Sequence, residues 1–151
     1  MATAHYVEVV EQDRTAVDVA LLTTRLVAGL VMIPHGAQHL LGSFSGPGLA
    51  GFVQAVGTVG YLVAIGEFFG GIGLAAGILS RFSAAAIIAI MLGAIAMVHA
   101  PFGFFMNWAG TQKGEGFEYH LLMIGLLLST LIAGPGRFSV GHLLPLPKSM
   151  E

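Results

Sequence analysis

The chain has 151 residues, 56% of them hydrophobic and 9% charged, with a net charge of −2 and a mean hydropathy of +0.85. That composition excludes an ordinary soluble globule, and a weak charge with no basic run lacks the electrostatic footprint of a nucleic-acid binder. With no cysteine, disulfides, iron–sulfur ligation and thiol nucleophiles are excluded within this chain, so any sulfur redox chemistry needs a partner or a bound cofactor.

Residues 1–18 hold Glu8, Glu11, Asp13 and Asp18 ahead of the first apolar run. This is the opposite of a basic segment leading a short cleavable one, and it reads as an uncleaved polar leader. Between Arg25 and Glu67 no Asp, Glu, Lys or Arg occurs. A spanning helix needs about 20 mainly apolar residues, and the first is expected over 19–41, about 34 Å long. A loop rich in glycine, Gly42 to Gly60, contains Pro47 and leads to a second span over 61–79. Ser80-Arg81 is a tight polar connection to a third, 82–99. Pro101 to Gly116 forms the longest outer connection, and its Phe102, Phe104, Phe105 and Trp108 suit the aromatic belt of a membrane interface. A fourth span, 117–133, offers only about 25 Å of helix before Gly134-Pro135-Gly136 stops it. The expected fold is all-α: an integral membrane four-helix bundle over 19–141, followed by a tail, 142–151. Arg14, Arg81, Arg137 and Lys148 fall on the side of the termini against Lys113 on the other. The positive-inside rule therefore makes both termini cytoplasmic.

Gly66, Gly70, Gly73 and Gly77 recur at spacings of four, three and four along the second span. Such a stripe lets backbones approach closely, and the alanine-rich third span with Gly93 is the expected partner. The alternative is a surface shaped to admit a flat ligand.

With this topology His35 lies about 9 Å below the outer end of span one and Glu67 about 10 Å below Gly60, level with one another. His39 stacks one turn above His35. His99 ends span three at the outer side, where Glu118 and His120 open span four. Six ionisable side chains thus converge on one half of the membrane. Charges at such depths are costly, face the bundle interior and mark function. Glu67 and His35 are accordingly the candidate catalytic pair. His35, His39, Glu67, His99 and Glu118 are candidate cofactor-binding residues; a structural hydrogen bond is the competing reading for each buried one, and simple solvation for His39 and His120. Arg25 lies towards the other half and is expected to snorkel to the cytoplasmic surface; it is carried as a further candidate binding residue. Pro34 frees the carbonyl of Leu30, adding a kink and an acceptor inside the first span.

At this point the chain resembles the DoxX-like membrane proteins, the DoxX and DoxD group, over about Leu21 to Ser139. The resemblance rests on Arg25, on His35-Gly36 followed by Leu40 and Gly42, and on Glu67 with Gly70-Gly71 and Gly77. It continues through Arg81, Met91, His99, Gly103-Phe104-Phe105, Gly116-Phe117-Glu118, Gly134-Pro135-Gly136-Arg137 and Ser139. Two positions depart from the pattern: His39 stands where a lysine is common, and Gly141 where an aspartate often follows the serine. The first puts a titratable ring in place of a fixed cation. The resemblance implies a four-helix protein of a bacterial-type inner membrane, related to proteins linked to quinone-dependent sulfur oxidation or to redox-stress complexes.

Three functions follow as expectations. The first is a quinone-linked oxidoreductase subunit, in which a buried histidine and carboxylate hydrogen-bond the quinone and relay protons near neutral pH. The second is a non-catalytic anchor or accessory subunit of a larger respiratory or redox complex, with a protein partner or a second copy of the chain. The third is a haem or metal site built from histidines on facing helices, such as His35 and His99, because imidazole suits iron, copper and zinc.

Overall fold

Long runs of leucine, alanine, isoleucine and valine unbroken by charge favour helix in lipid, where each backbone group must find its partner within the segment. The computed structural model describes residues 2–145, 147, 149 and 150, with side chains from Glu11 onward; the side chains of Glu8 and Lys148 lie outside the described residues. The described chain is all-helical and contains no strand. Its helices are α1 (Ala2–Leu41), α2 (Gly48–Val56), α3 (Val59–Ala76), α4 (Ser80–Ala94) and α5 (Glu118–Ala133). Among the described residues three helical stretches are long and apolar enough to cross a membrane: Glu11–Leu41, Val59–Ala76 and Ser80–Phe102. The third is α4 prolonged by a π-helical turn at Ile95–His99 and a 3₁₀ turn at Ala100–Phe102. Helix α5 is apolar but shorter.

Several boundaries differ from expectation. Helix α1 runs without a break through the polar leader and past Pro34. The expected loop at 42–60 holds α2, an apolar nine-residue helix. Helix α3 stops at Ala76 rather than 79, because Gly77 adopts a left-handed φ of 72°. Its N–H and that of Ile78 turn back to Leu74 and Gly73 and close the helix end.

Helices α1 and α3 approach each other closely. A Cβ on Gly29 would stand 2.6 Å from the Gly71 carbonyl, and one on Gly71 would stand 3.0 Å from Ile33 N. Gly36 likewise seats directly on the Phe68 backbone. The expected stripe faces α4 on the neighbouring side of α3: Gly66 against Ile90, Gly70 against Ile87 and Gly73 against Ser83. Gly77 belongs to the helix cap, and Gly93 has open space where its side chain would be. Ala28 and Met32 of α1, Leu74 of α3, Ile87 and Met91 of α4 and Leu127 of α5 fill one apolar core.

Arginines fasten one end of this core. Arg25 is 1% exposed. Instead of snorkelling, its guanidinium donates to the carbonyls of Leu74 and Ala75 at the end of α3 and of Pro135 and Phe138 beyond α5. Helix C-termini leave carbonyls without intrahelical partners, and a buried five-donor fork satisfies several at once. Arg81 does the same for α5, donating to Leu131 and Ile132. Arg137 joins the group from the C-terminal segment, pairing with Asp18 at 3.5 Å.

The other end is closed by backbone. The first N–H groups of α5 and of the residues before it donate to Phe105, Gly103 and Phe104, so the aromatic connection folds back on itself. Arg81, at the start of α4, reaches the end of α5, and the His99 ring, at the far end of the α4 stretch, lies 4.2 Å from that of His120, which opens α5. The two helices therefore run antiparallel over the same thickness.

Candidate functional site

Opposite the arginine end, α1, α2 and α3 bring together the residues of the first candidate cluster. Glu67 is buried at the α1–α3 seam, and its Oε2 lies 2.6 Å from Nδ1 of His39. The side chains are 7% and 23% exposed respectively, so the histidine is the mouth-side member. Such a bond is an ion pair when the ring is protonated, and its length belongs to the charge-assisted class. On its other face the His39 ring stacks on Phe52 of α2, with centroids 3.8 Å apart and planes 7° from parallel.

The hydrogen-bonded pair is therefore His39–Glu67, where equal depth predicts His35–Glu67. Packing gives the reason. Gly36 seats on Phe68 and Ile33 meets Gly71, which sets Glu67 level with Ala37, midway between the two histidines along α1. Side then decides. His39 turns towards α3, whereas His35 turns towards α5, is exposed, and has its ring 5.8 Å from that of Tyr119.

Tyr119 links the two halves of the outer end. Its hydroxyl donates to the Met32 sulfur at 3.6 Å, at the edge of the apolar core. His120, 6% exposed, has a buried Nδ1 without a hydrogen-bond partner among the described residues. His99 uses its own Nδ1 on the Glu115 carbonyl at 2.8 Å. Glu118, the first residue of α5, accepts from the indole of Trp108 in the aromatic connection at 3.2 Å. Arg25 lies about 21 Å along α1 from His39, committed to backbone carbonyls. The candidates thus fall into four places: His39 with Glu67, His35 and His120 beside Tyr119 with His99 against His120, Glu118 with Trp108, and Arg25 by itself at the far end. Among the described residues no group of three or more His, Asp or Glu side chains is arranged to hold a metal ion.

Phe52, Tyr119 and the Gly29–Gly36–Gly71 seam are additions to the sequence reading. The seam had a legible signal, since Gly29 and Gly36 are seven apart on α1 and share a helical face. Phe52 had none, because the glycine-rich stretch around it reads as loop.

Chemically, the His39–Glu67 pair can hold a proton between two groups inside an apolar shell and offer a ring face and a carboxylate edge to a planar ligand. A family model described as DoxX matches residues 20–100, which include Arg25, His35, His39, Glu67, Arg81 and His99. No curated protein matches the chain, and no solved structure does either.

Proposed function

Since the chain belongs to the DoxX family, we propose that it is a four-span membrane subunit of a quinone-linked oxidoreductase with its binding site at His39 and Glu67. The observation that carries the reading is a buried carboxylate joined at 2.6 Å to an imidazole whose ring face is already in a parallel stack. A flat ring with polar oxygens at its edge suits that arrangement: the imidazole supplies a stacking face, and the pair supplies a donor and an acceptor. Quinone, when bound there, supplies two-electron chemistry coupled to proton exchange. The residues do the rest. Glu67, sealed by the α1–α3 seam, exchanges its proton with His39 rather than with bulk water, and His39, nearer the mouth, passes it outward. His35 extends the candidate path towards His99 and His120. In the absence of cysteine, electrons come from a substrate or partner.

The fourth span in this reading is α5, which matches α4 end to end, with lipid around the exposed apolar faces. Both termini then lie on one side, the cytoplasmic one by the arginine count, in an inner membrane of bacterial type. Residues 1–18 are the leader, 19–141 the membrane domain and 142–151 the tail.

Glu67→Gln tests the reading. The amide still accepts from His39 but carries no proton for release, so quinone-dependent turnover is abolished while the folded protein is retained. Unchanged turnover sinks the proposal. An accessory-subunit reading draws on Trp108 and Phe105, which are 87% and 68% exposed on the outer connection. A stoichiometric partner on purification favours it, whereas full activity of the isolated chain excludes it.

A further inference from the structure

Helix α2 is oddly held for a segment that covers the site. It has no buried residue, although every side chain from Leu49 to Phe52 and Val53 is apolar or absent. Both of its connections turn in the left-handed region: Gly42, Phe44, Ser45 and Gly48 on one side and Gly57 on the other have φ between 53° and 83°. For glycine this region is free of penalty. For Phe44 and Ser45 it is strained, and Phe44 is 71% exposed, so burial of its ring does not offset the strain. The firmest contact from α2 to the site is the Phe52 ring on His39.

We propose that α2 is a gate between the apolar phase and the His39–Glu67 pair, with Phe52 filling, in this closed state, the stacking position that a planar ligand takes when α2 swings out. The identity of that ligand as a quinone rests on the function proposed above; the gate itself does not. Hinging at Gly42–Gly48 and at Gly57 lifts α2 from its packing on Gly60 and leaves the Gly29–Gly71 seam between α1 and α3 in place. Displacing one flat ring by another preserves the stack on His39, so opening and binding are coupled through a single contact. The loop at Gly46 is seated tightly on α1, since a Cβ there would stand 2.7 Å from the Gln38 Cβ. Gly46→Ala therefore pushes the gate open.

The test uses the full chain in lipid vesicles and a probe that enters from the bilayer, dicyclohexylcarbodiimide, which labels buried protonated carboxyls; labelling of Glu67 is followed by peptide mass spectrometry. A chain free of cysteine accepts a clean staple. A Cβ on Gly60 would lie 3.3 Å from the Val53 side chain, so Val53→Cys with Gly60→Cys ties α2 to the start of α3 when oxidised. The gate predicts that oxidation slows Glu67 labelling at least tenfold and that reductant restores it in the same sample. It also predicts that Phe52→Ala and Gly46→Ala label several-fold faster than the natural chain. Labelling at one rate in the oxidised and reduced staple overturns the gate. Adding decylubiquinone separates the two ideas. Protection of Glu67 in the reduced form supports the quinone site. Staple-dependent labelling without protection keeps the gate and contradicts the quinone.

Discussion

Arg25 is the residue whose role changes most between sequence and structure. A lone cation inside a span reads as a snorkelling side chain, yet this one is spent on the carbonyls that α3 and the post-α5 loop cannot satisfy themselves. Hydrogen bonds to charged groups contribute about 1.5–3 kcal/mol each. Arg25→Ala is therefore expected to cost several kcal/mol, on the order of a buried charge contact broken on one side. Arg25→Lys recovers only part of that, since an ammonium has three donors and no planar fork. Unfolding in mixed micelles by denaturing detergent measures both, and equal stability of the lysine variant and the natural chain contradicts the clasp. His39 carries a second prediction. His39→Leu leaves Glu67 buried without its partner and costs about 1–3 kcal/mol, whereas His39→Leu with Glu67→Leu costs less than the single change, because no polar group is left stranded. Glu67 was legible as a buried ionisable, and His39 as a candidate ligand with solvation as its alternative. Their pairing was not, because helix depth is readable from residue counts while the side of α1 that faces α3 is set by Gly36 seating on Phe68 and Gly71 on Ile33.

At the scale of elements, small residues decide which helices touch. The hydrophobic runs and their breaks were readable because charge and glycine punctuate them, and the three helical stretches long and apolar enough to cross a membrane overlap the first three expected spans, α1 beginning well before residue 19. The partner of each face was only half readable. Gly66, Gly70 and Gly73 do face α4, as their spacing suggests, but the α1–α3 seam depends on Gly29 and Gly36, whose counterparts Gly71 and Phe68 lie outside the stripe. Gly71→Val should therefore wedge α1 from α3, lower stability by at least the 1–3 kcal/mol typical of overpacking, and weaken the His39–Glu67 bond. Gly93→Ala, with open space around it, should be neutral or stabilising by up to about 1 kcal/mol through helix propensity alone. Thermal unfolding of the two variants side by side checks this, and a cost at Gly93 matching that at Gly71 contradicts the assignment of seams. Helix α2 escaped the sequence reading because Gly48, Gly51 and Gly57 give its stretch the composition of a loop.

For the whole molecule, the two ends of the helices divide the labour. Arg25 and Arg81 tie helix ends at one face, and His35, His39, His99, His120 and Glu67 gather towards the other, with an apolar core of Met32, Leu74, Ile87 and Leu127 between them. A polar site above such a core is fastened from beneath, which keeps its geometry while α2 moves. If α5 crosses the membrane as proposed, single cysteines placed at Thr111 and Ser149, which flank it, react with an impermeant maleimide from opposite sides of a sealed vesicle. Reaction from the same side contradicts four spans. The central claim, a planar redox ligand held by His39 and Glu67, is tested most directly by extracting the protein gently from its membrane and taking its mass spectrum and absorption spectrum together. The account predicts one quinone per chain in the natural protein and none in the variant with leucine at both positions. Quinone retained equally by both, or a haem or metal in its place, would contradict it.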